Sequence, residues 1–343
     1  MPNYVTMLNT IHGNASQEYQ SRIPTATDDN FREVGTALLE NEAQKNEFLD
    51  AFVYKVCFTE VNNRRYYNPW AVLKKGTKPY GGIKEKVHTN PVKGVKYDGS
   101  NTEDMLKVTK PDVKSAYFQR NREDKYPVSI SDAQLKTAFI SPHEFGNFHQ
   151  SVLNAMYSGD EMDEYLLMRN AVSSVITDGK VLVIEVDYDG NPAELIKAVQ
   201  TISRYWKYEK TDYASYNIQN AAAIEAGTKT PVVTWCPPEK QVLLIREDVD
   251  VNTDIEVLAK AFNMGKTDFS QRKLGFDALE DPDVLCVLSD EGWFEFEDDL
   301  YKVASFNNGS NLTTNYWLHH WETIGLNPLA NVVAFKRKAA AAG

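Results

Sequence analysis

Residues 141–179 read SPHEFGNFHQSVLNAMYSGDEMDEYLLMRNAVSSVITDG. Ser141 suits a helix cap and Pro142 the first turn, where a missing N–H is tolerated. Phe145, Phe148, Val152 and Met156, then Tyr165, Met168, Val172 and Val175, recur at steps of three and four, the spacing of helical faces. Gly159-Asp160 is placed to kink or interrupt the run, and Asp178-Gly179 to end it. Uninterrupted, about 36 residues at about 1.5 Å each make a rod of roughly 54 Å, long enough to span a domain.

Beyond Gly179 the pattern changes. KVLVIEVDYDG is a compact aliphatic run closed by a turn, as in a buried strand. Helices are predicted over 191–205, 213–226 and 255–264, and strands over 232–235, 241–245, 283–288, 293–296, 301–305, 315–324 and 332–336. Strands and helices mix without a regular βαβ alternation, so the predicted class is α+β. Upstream, Val34, Ala37, Leu38, Ala43, Phe48, Leu49 and Phe52 predict one amphipathic helix or two short ones within 28–53.

Residues 62–115 differ from both flanks. They carry twelve Lys/Arg against five Asp/Glu, a net +7, whereas the rest of the chain is −18 within a total of −11. Glycines and prolines (Gly76, Pro79, Gly81, Gly82, Pro91, Gly94, Gly99) argue against helix. The runs Trp70–Leu73 and Val92–Tyr97 are candidate strands, and Lys78-Pro79-Tyr80-Gly81-Gly82 a candidate reversal, so an extended β-hairpin is expected. Such a hairpin is marginal alone and must lie on an acidic surface, its own body or a second copy of it. The expected contact residues are Arg64, Arg65, Tyr66, Tyr67, Trp70, Lys74, Lys75, Lys78, Tyr80, Gly81, Gly82, Lys84 and Lys86, with Tyr66, Tyr67, Trp70 and Tyr80 as anchors and the lysines setting register.

The 343 residues are 42% hydrophobic and 25% charged, a globular composition. No aliphatic run approaches the roughly 20 residues that span a bilayer, and the first residues lack the pattern of a secretory signal. The net negative charge argues against coating nucleic-acid phosphates. Cys57, Cys236 and Cys286 are odd in number and far apart, which predicts neither disulfides nor a zinc site and suggests a reducing compartment. Asp248, Asp250, Asn252 and Asp254 begin like a calcium loop, but Thr253 and Ala259 occupy the positions needing glycine and a bidentate acid. His143-Glu144 lacks the second histidine of HExxH, with Asn147 in its place and His149 on another helical face, and strand alternation sends His319 and His320 to opposite faces. Nucleophile-elbow, phosphate-loop and dinucleotide fingerprints are absent. No catalytic, cofactor-binding or metal-binding residue is predicted.

Five collinear stretches resemble the major capsid protein of small short-tailed phages of the phi-twenty-nine group: SDAQLKTAFISPHEFGNF (131–148), SVLNAMYSGDEMDEYLLMRNAV (151–172), EVLAKAFNMGKTDF (256–269), DEGWFEFEDDLYKV (290–303) and NYWLHHWETIGLNPLANVVAF (315–335). EVGTALLENEAQKNEFLDAFV (33–53) resembles that family's entry region. The resemblance implies the Johnson fold of tailed-phage capsids. Its parts would be an N-terminal arm (1–55), an extended hairpin or E-loop (62–127, within 56–130), a peripheral domain with the spine helix (131–187), an axial domain (188–287), and peripheral return strands (288–343). It implies a structural, non-enzymatic subunit without cofactors, part of the virion and assembled in the host cytoplasm. Its partners would be itself in pentamers and hexamers, a separate scaffolding protein, a portal protein at one vertex, and enclosed double-stranded DNA held without sequence specificity, with no membrane. The chain stops at Gly343, before the immunoglobulin-like domain some relatives carry, and no long helical scaffold-like segment precedes the shell region, so a scaffold in trans is expected. Alternatives are an encapsulin-like compartment, a minor head protein, and a soluble hydrolase using His149 or His319. Reversing charge at Arg64, Arg65, Lys74 and Lys75 is expected to reduce assembly and leave the subunit folded.

Overall fold

The computed structural model describes residues 4–40, 43–49, 51, 65–78, 82–96, 107–131, 142–251 and 272–338. The helices are α1 (Tyr4–Asn14), α2 (Gln17–Arg22), α3 (Phe31–Leu39), α4 (Pro142–Thr177) and α5 (Pro192–Tyr205), with short helical turns elsewhere. The strands are β1 (Lys74–Thr77), β2 (Lys84–Thr89), β3 (Val113–Phe118), β4 (Arg122–Ser131), β5 (Leu182–Val186), β6 (Gln241–Arg246), β7 (Lys273–Phe276), β8 (Val284–Asp290), β9 (Phe294–Asn308), β10 (Thr313–Leu326) and β11 (Val332–Arg337). They form a four-stranded sheet of order β1-β9-β10-β4, a five-stranded sheet of order β5-β11-β8-β6-β7, and the ribbon β2-β3. Two compact units result, one of residues 1–68, 123–164 and 300–321, the other of 69–122, 165–299 and 322–343.

α4 is one continuous helix of 36 residues, so Gly159 does not interrupt it. The position has room for a side chain. A Cβ there would stand 3.5 Å from the Tyr126 ring, whose hydroxyl donates to Asp163 Oδ2 at 2.9 Å. The helix ends at Gly179, in the left-handed region at φ +66°. The N–H of Lys180 bonds Val175 O and that of Gly179 bonds Ile176 O, the paired bonds of a Schellman cap.

In the first unit, Phe31, Val34 and Leu38 of α3 pack with Leu8, Ile11, Phe48 and Leu49 against Met156, Tyr316 and Leu318. Among its described residues, the segment 28–53 gives α3 and the helical stretch 43–49. The first residues, expected to be an arm, contribute to this core.

In the second unit, strand alternation sorts the five-stranded sheet into two apolar faces. Leu243, Ile245, Val333 and Phe335 meet Leu195, Val199 and Ile202 of α5. Val242, Leu244, Val332 and Ala334 meet Met168, Val172 and Ile176 of α4. Coverage on both faces explains the unbroken apolar runs QVLLIR, VLCVL and VVAF. The sheet that holds β6, β7 and β8 also includes β5 and β11, beyond the 188–287 expected for an axial domain.

Several local expectations are corrected. Residues Ala71–Leu73 form a 3-10 turn, Val92–Lys96 have no regular structure, and the ribbon pairs Lys84–Thr89 with Val113–Phe118, because strand partners are chosen by burial across a long connection rather than by the nearest reversal signal. The strands expected at 293–296 and 301–305 merge into β9. Residues 232–235 contribute only a bridge between Thr234 and Lys210. The segment 213–226 breaks at Asn220 into Ser215–Gln219 and Ala221–Glu225. The helix expected at 255–264 lies outside the described residues.

Phe296, fully buried beneath the sheet, is expected on replacement by Ala to cost about 3–5 kcal/mol. The exposed Val72→Ala should stay within about 0.5 kcal/mol. Urea unfolding of the two variants checks both values.

Candidate assembly interface

Strand β9 opens Phe294-Glu295-Phe296-Glu297-Asp298-Asp299. Alternation sends Phe294 and Phe296 into the core beside Trp293 and turns Glu295, Glu297 and Asp299 to the opposite face. That face is covered too: Glu295 is fully buried, and Glu297 and Asp299 nearly so. Carboxylates withdrawn from water require cations or donors, and the basic segment supplies them.

β1 runs parallel to β9, with Lys74 opposite Phe296 and Thr77 opposite Asp298. Lys74 Nζ lies 2.6 Å from Asp298 Oδ1 and Lys75 Nζ 2.5 Å from Glu295 Oε1. The buried Lys78 donates to Thr323 Oγ1 at 2.5 Å and stands 3.3 Å from Asp299 Oδ1. From β2, Lys84 pairs with Glu297 and lies 2.9 Å from Glu295 Oε2, and Lys86 lies 2.6 Å from Glu295 Oε1. Three ammonium groups therefore converge on one carboxylate. Burial pushes the Glu295 carboxyl up, but hydrogen bonds from Lys75, Lys86 and Lys84 outweigh it and hold it below the ordinary glutamate range. Burial likewise holds the Lys75 ammonium below its usual value, despite Glu295.

The far end of the ribbon has a second anchor. Asn90 Nδ2 donates to Asp112 Oδ2 and Pro231 O, both at 2.7 Å, and Asn90 Oδ1 accepts from Val233 N at 2.8 Å. Thr230 Oγ1 donates to Asp112 Oδ2 at 2.7 Å, and Lys114 Nζ to Thr230 Oγ1 at 2.7 Å. The hydrogen bond from Lys114, with those of Thr230 and Asn90, holds the Asp112 carboxyl down at about 2.

With Lys84, Lys86 and His88 turned inward, the period of two leaves Glu85, Val87 and Thr89 outward. The antiparallel register sets Tyr117 opposite Glu85 and Val113 opposite Thr89, and the Tyr117 hydroxyl donates to Glu85 Oε1 at 2.8 Å. The outer face thus carries four exposed apolar side chains beside Glu85, Thr89 and Ser115: Ile83 is 66% exposed, Val87 58%, Val113 46% and Tyr117 66%.

A family model described as "Phi29-like phage major capsid protein" matches residues 8–336. The chain belongs to that family. It is 30% identical over 336 residues to the major capsid protein of Bacillus phage PZA, covering 96% of this chain and 72% of that protein. It is 31% identical over 330 residues to that of Bacillus phage B103, with the same coverage. In fold it is similar to a chain of the capsid structure of Staphylococcus phage Andhra, with TM-score 0.64 at 13% identity over 82% of this chain and 88% of that one. The fold is the α+β Johnson type of tailed-phage capsids, and the protein is a structural capsid subunit that assembles with its own kind in the virion. The compartment-shell, minor-head-protein and hydrolase readings give way to this one.

Within this family member, the predicted contact residues divide. Arg64, Tyr80 and Gly81 lie outside the described residues. Lys74, Lys75, Lys78, Lys84 and Lys86 converge on β9 of the same chain, so reversing Lys74 and Lys75 would disturb the subunit itself. Trp70 is fully buried, donates from Nε1 to Gly275 O at 2.9 Å and meets Tyr165 edge-on, so it is a core residue and no surface anchor. Arg65 pairs with Glu161 at 3.0 Å over the Tyr157 ring, Tyr66 is half-buried with its N–H on Ser158 Oγ, Tyr67 is exposed, and Gly82 is half-buried. The sequence reading missed Ile83, Val87, Val113 and Tyr117, although the alternation in KEKVHT marks the outer face. In the calcium-like string, Asp248 pairs with Arg246 and Asp250 with Lys273, while Asn252 and Asp254 lie outside the described residues. His320 is buried, Nδ1 2.7 Å from Asp160 Oδ1, and His319 is half-buried on the other face.

Glu295→Gln leaves three ammonium groups without their shared charge and is expected to cost about 2–3 kcal/mol. Hydrogen exchange should show the loss first as faster exchange across 84–89 and 113–118. Asp112, depressed in the folded state, contributes stability above the ordinary carboxylate range and loses it as pH falls from 3.8 towards about 2. Limited proteolysis between residues 90 and 112 should therefore quicken in that window and remain slow above it.

Proposed function

We propose that the β2-β3 ribbon is the arm by which one capsid subunit holds the next, and that it does so through its apolar outer face. The observation that carries this is the division of the ribbon. Its lysines are engaged by the same chain, and Ile83, Val87, Val113 and Tyr117 face outward on two strands that have no stability of their own. Beyond the strands, Val92, Val95 and Val108 are exposed as well, interleaved with the exposed Lys93, Lys96, Lys107 and Lys110. A neighbouring copy that covers this face removes apolar area from water, the main source of affinity in obligate contacts.

In this reading the subunits form pentamers and hexamers of an icosahedral shell around double-stranded DNA, with a scaffolding protein during assembly and a portal at one vertex. The family resemblance supports these partners. Residues 1–55 then serve as an N-terminal arm whose helices pack into the first unit, 131–187 and 288–343 as the peripheral domain, and 188–287 as an axial domain whose sheet is completed by β5 and β11. A net charge of −11 suits a wall along which packaged DNA slides without adhering.

Val87→Glu and Tyr117→Ala should leave the subunit folded by circular dichroism. They should lower the yield of closed shells, read by sedimentation velocity and negative-stain imaging, by at least about tenfold. Shells formed at the unaltered yield would contradict the proposal.

A further inference from the structure

At the C-terminal end of α5 the chain exposes three large aromatic side chains: Tyr205 is 49% exposed, Tyr208 68% and Trp235 52%. They stand on fixed backbone. Tyr208 N–H bonds Tyr205 O at 3.0 Å, Cys236 N–H bonds Trp206 O at 2.7 Å, and Lys210 and Thr234 exchange bonds at 3.0 and 2.9 Å. Trp235 therefore lies between two tied positions, and it points away from the buried Thr234 and Cys236 on either side. Arg204, Lys207 and Lys210 lie in the same stretch against two acids, Glu209 and Asp212, and Lys210 Nζ lies 5.5 Å over the Tyr205 ring.

The opposite end of α5 has the opposite sign. Glu185, Asp187 and Asp189 precede the helix and Glu194 lies in its first turn, all exposed. Asp281 and Asp283 join them beside β11, where Lys336 pairs with Asp281 at 2.6 Å and Arg337 approaches Asp189 at 3.4 Å. Six carboxylates thus outnumber Lys197, Lys336, Arg337 and Lys338. Fourteen helical residues, about 21 Å, keep the two ends of one chain apart. Charges that complement the helix dipole would explain the signs, but not three exposed aromatic rings.

We infer that the aromatic, basic end around Tyr208 and Trp235 docks on the acidic end of a second copy of this chain. Such a contact joins two different surfaces head to tail, and repeated around an axis it closes a ring. The rigid aromatic rings supply the anchor and the opposed charges supply the direction of joining. This inference rests on the shell reading above and assigns the residues that link neighbours within a capsomer.

The test is a charge exchange in the full chain, assayed for closed shells beside the unaltered protein. Lys207→Glu with Lys210→Glu, and separately Asp187→Lys with Asp189→Lys, should each lower shell yield at least about tenfold while circular dichroism stays unchanged. The four changes combined should restore most of the yield. Tyr208→Ala with Trp235→Ala carries the same expectation of loss and guards against a misfolded charge variant. Normal shells from all single-end variants, or no recovery in the combined one, would overturn the inference alone. A charge role confined to the helix dipole would lower thermal stability and leave assembly intact, which would also overturn it. No shells from the unaltered chain co-expressed with its scaffolding protein would overturn the pentamer-and-hexamer reading and this inference with it.

Discussion

Glu295 is fully buried on a strand whose other face closes the core of the second unit, so its charge must be met where it stands. Moving an ionised carboxylate out of water costs several kcal/mol, and one lysine at a protein surface offsets little of that. Lys75, Lys84 and Lys86 together do so. To deliver them, the chain must run β1 along β9 and then bring β2 over the same face in a register that points alternate residues down. Lys84 and Lys86 are two residues apart because a strand repeats every two. The basic character of Lys74, Lys75, Lys78, Lys84 and Lys86 is therefore a requirement of the fold before it is a property of any interface.

This arrangement separates two tasks that the charge count alone would merge. Ionic contacts place the ribbon on its own subunit, where partial burial shields them from salt. Apolar contacts remain for the neighbour. A ribbon held at both ends, at Glu295 and at Asp112, presents its outer face without first losing the freedom of a loose loop, which lowers the entropic cost of association.

Much of the fold was legible because its signals are local and strong. Proline and serine at the start, glycine at the end and two apolar stripes mark α4 within a residue or so at each end, and runs such as QVLLIR leave little choice but a buried strand. The ribbon was less legible. Its strands, 84–89 and 113–118, are separated by a connection without periodic pattern, and the turn residues at 78–82 precede both strands and so do not lie between them. Trp70 illustrates the limit for single residues: an aromatic within a basic, glycine-rich stretch reads as exposed, yet Gly275, far along the chain, receives its indole N–H. The lysines could be counted from the sequence, but the surface they meet could not, since a neighbour carries the same acidic strand. Val87 and Tyr117 were overlooked because the lysines between them dominated the composition.

The most direct measurement is a residue-level footprint of the free subunit and the assembled shell, using an amine reagent for lysine and a radical label for tyrosine. The account predicts that Lys75, Lys84 and Lys86 react slowly in both states, while Tyr117 is labelled in the free subunit and shielded in the shell. Lysines that react freely in the isolated subunit and become protected only in the shell, with Tyr117 unchanged, would contradict it and return the charged face to the interface between copies.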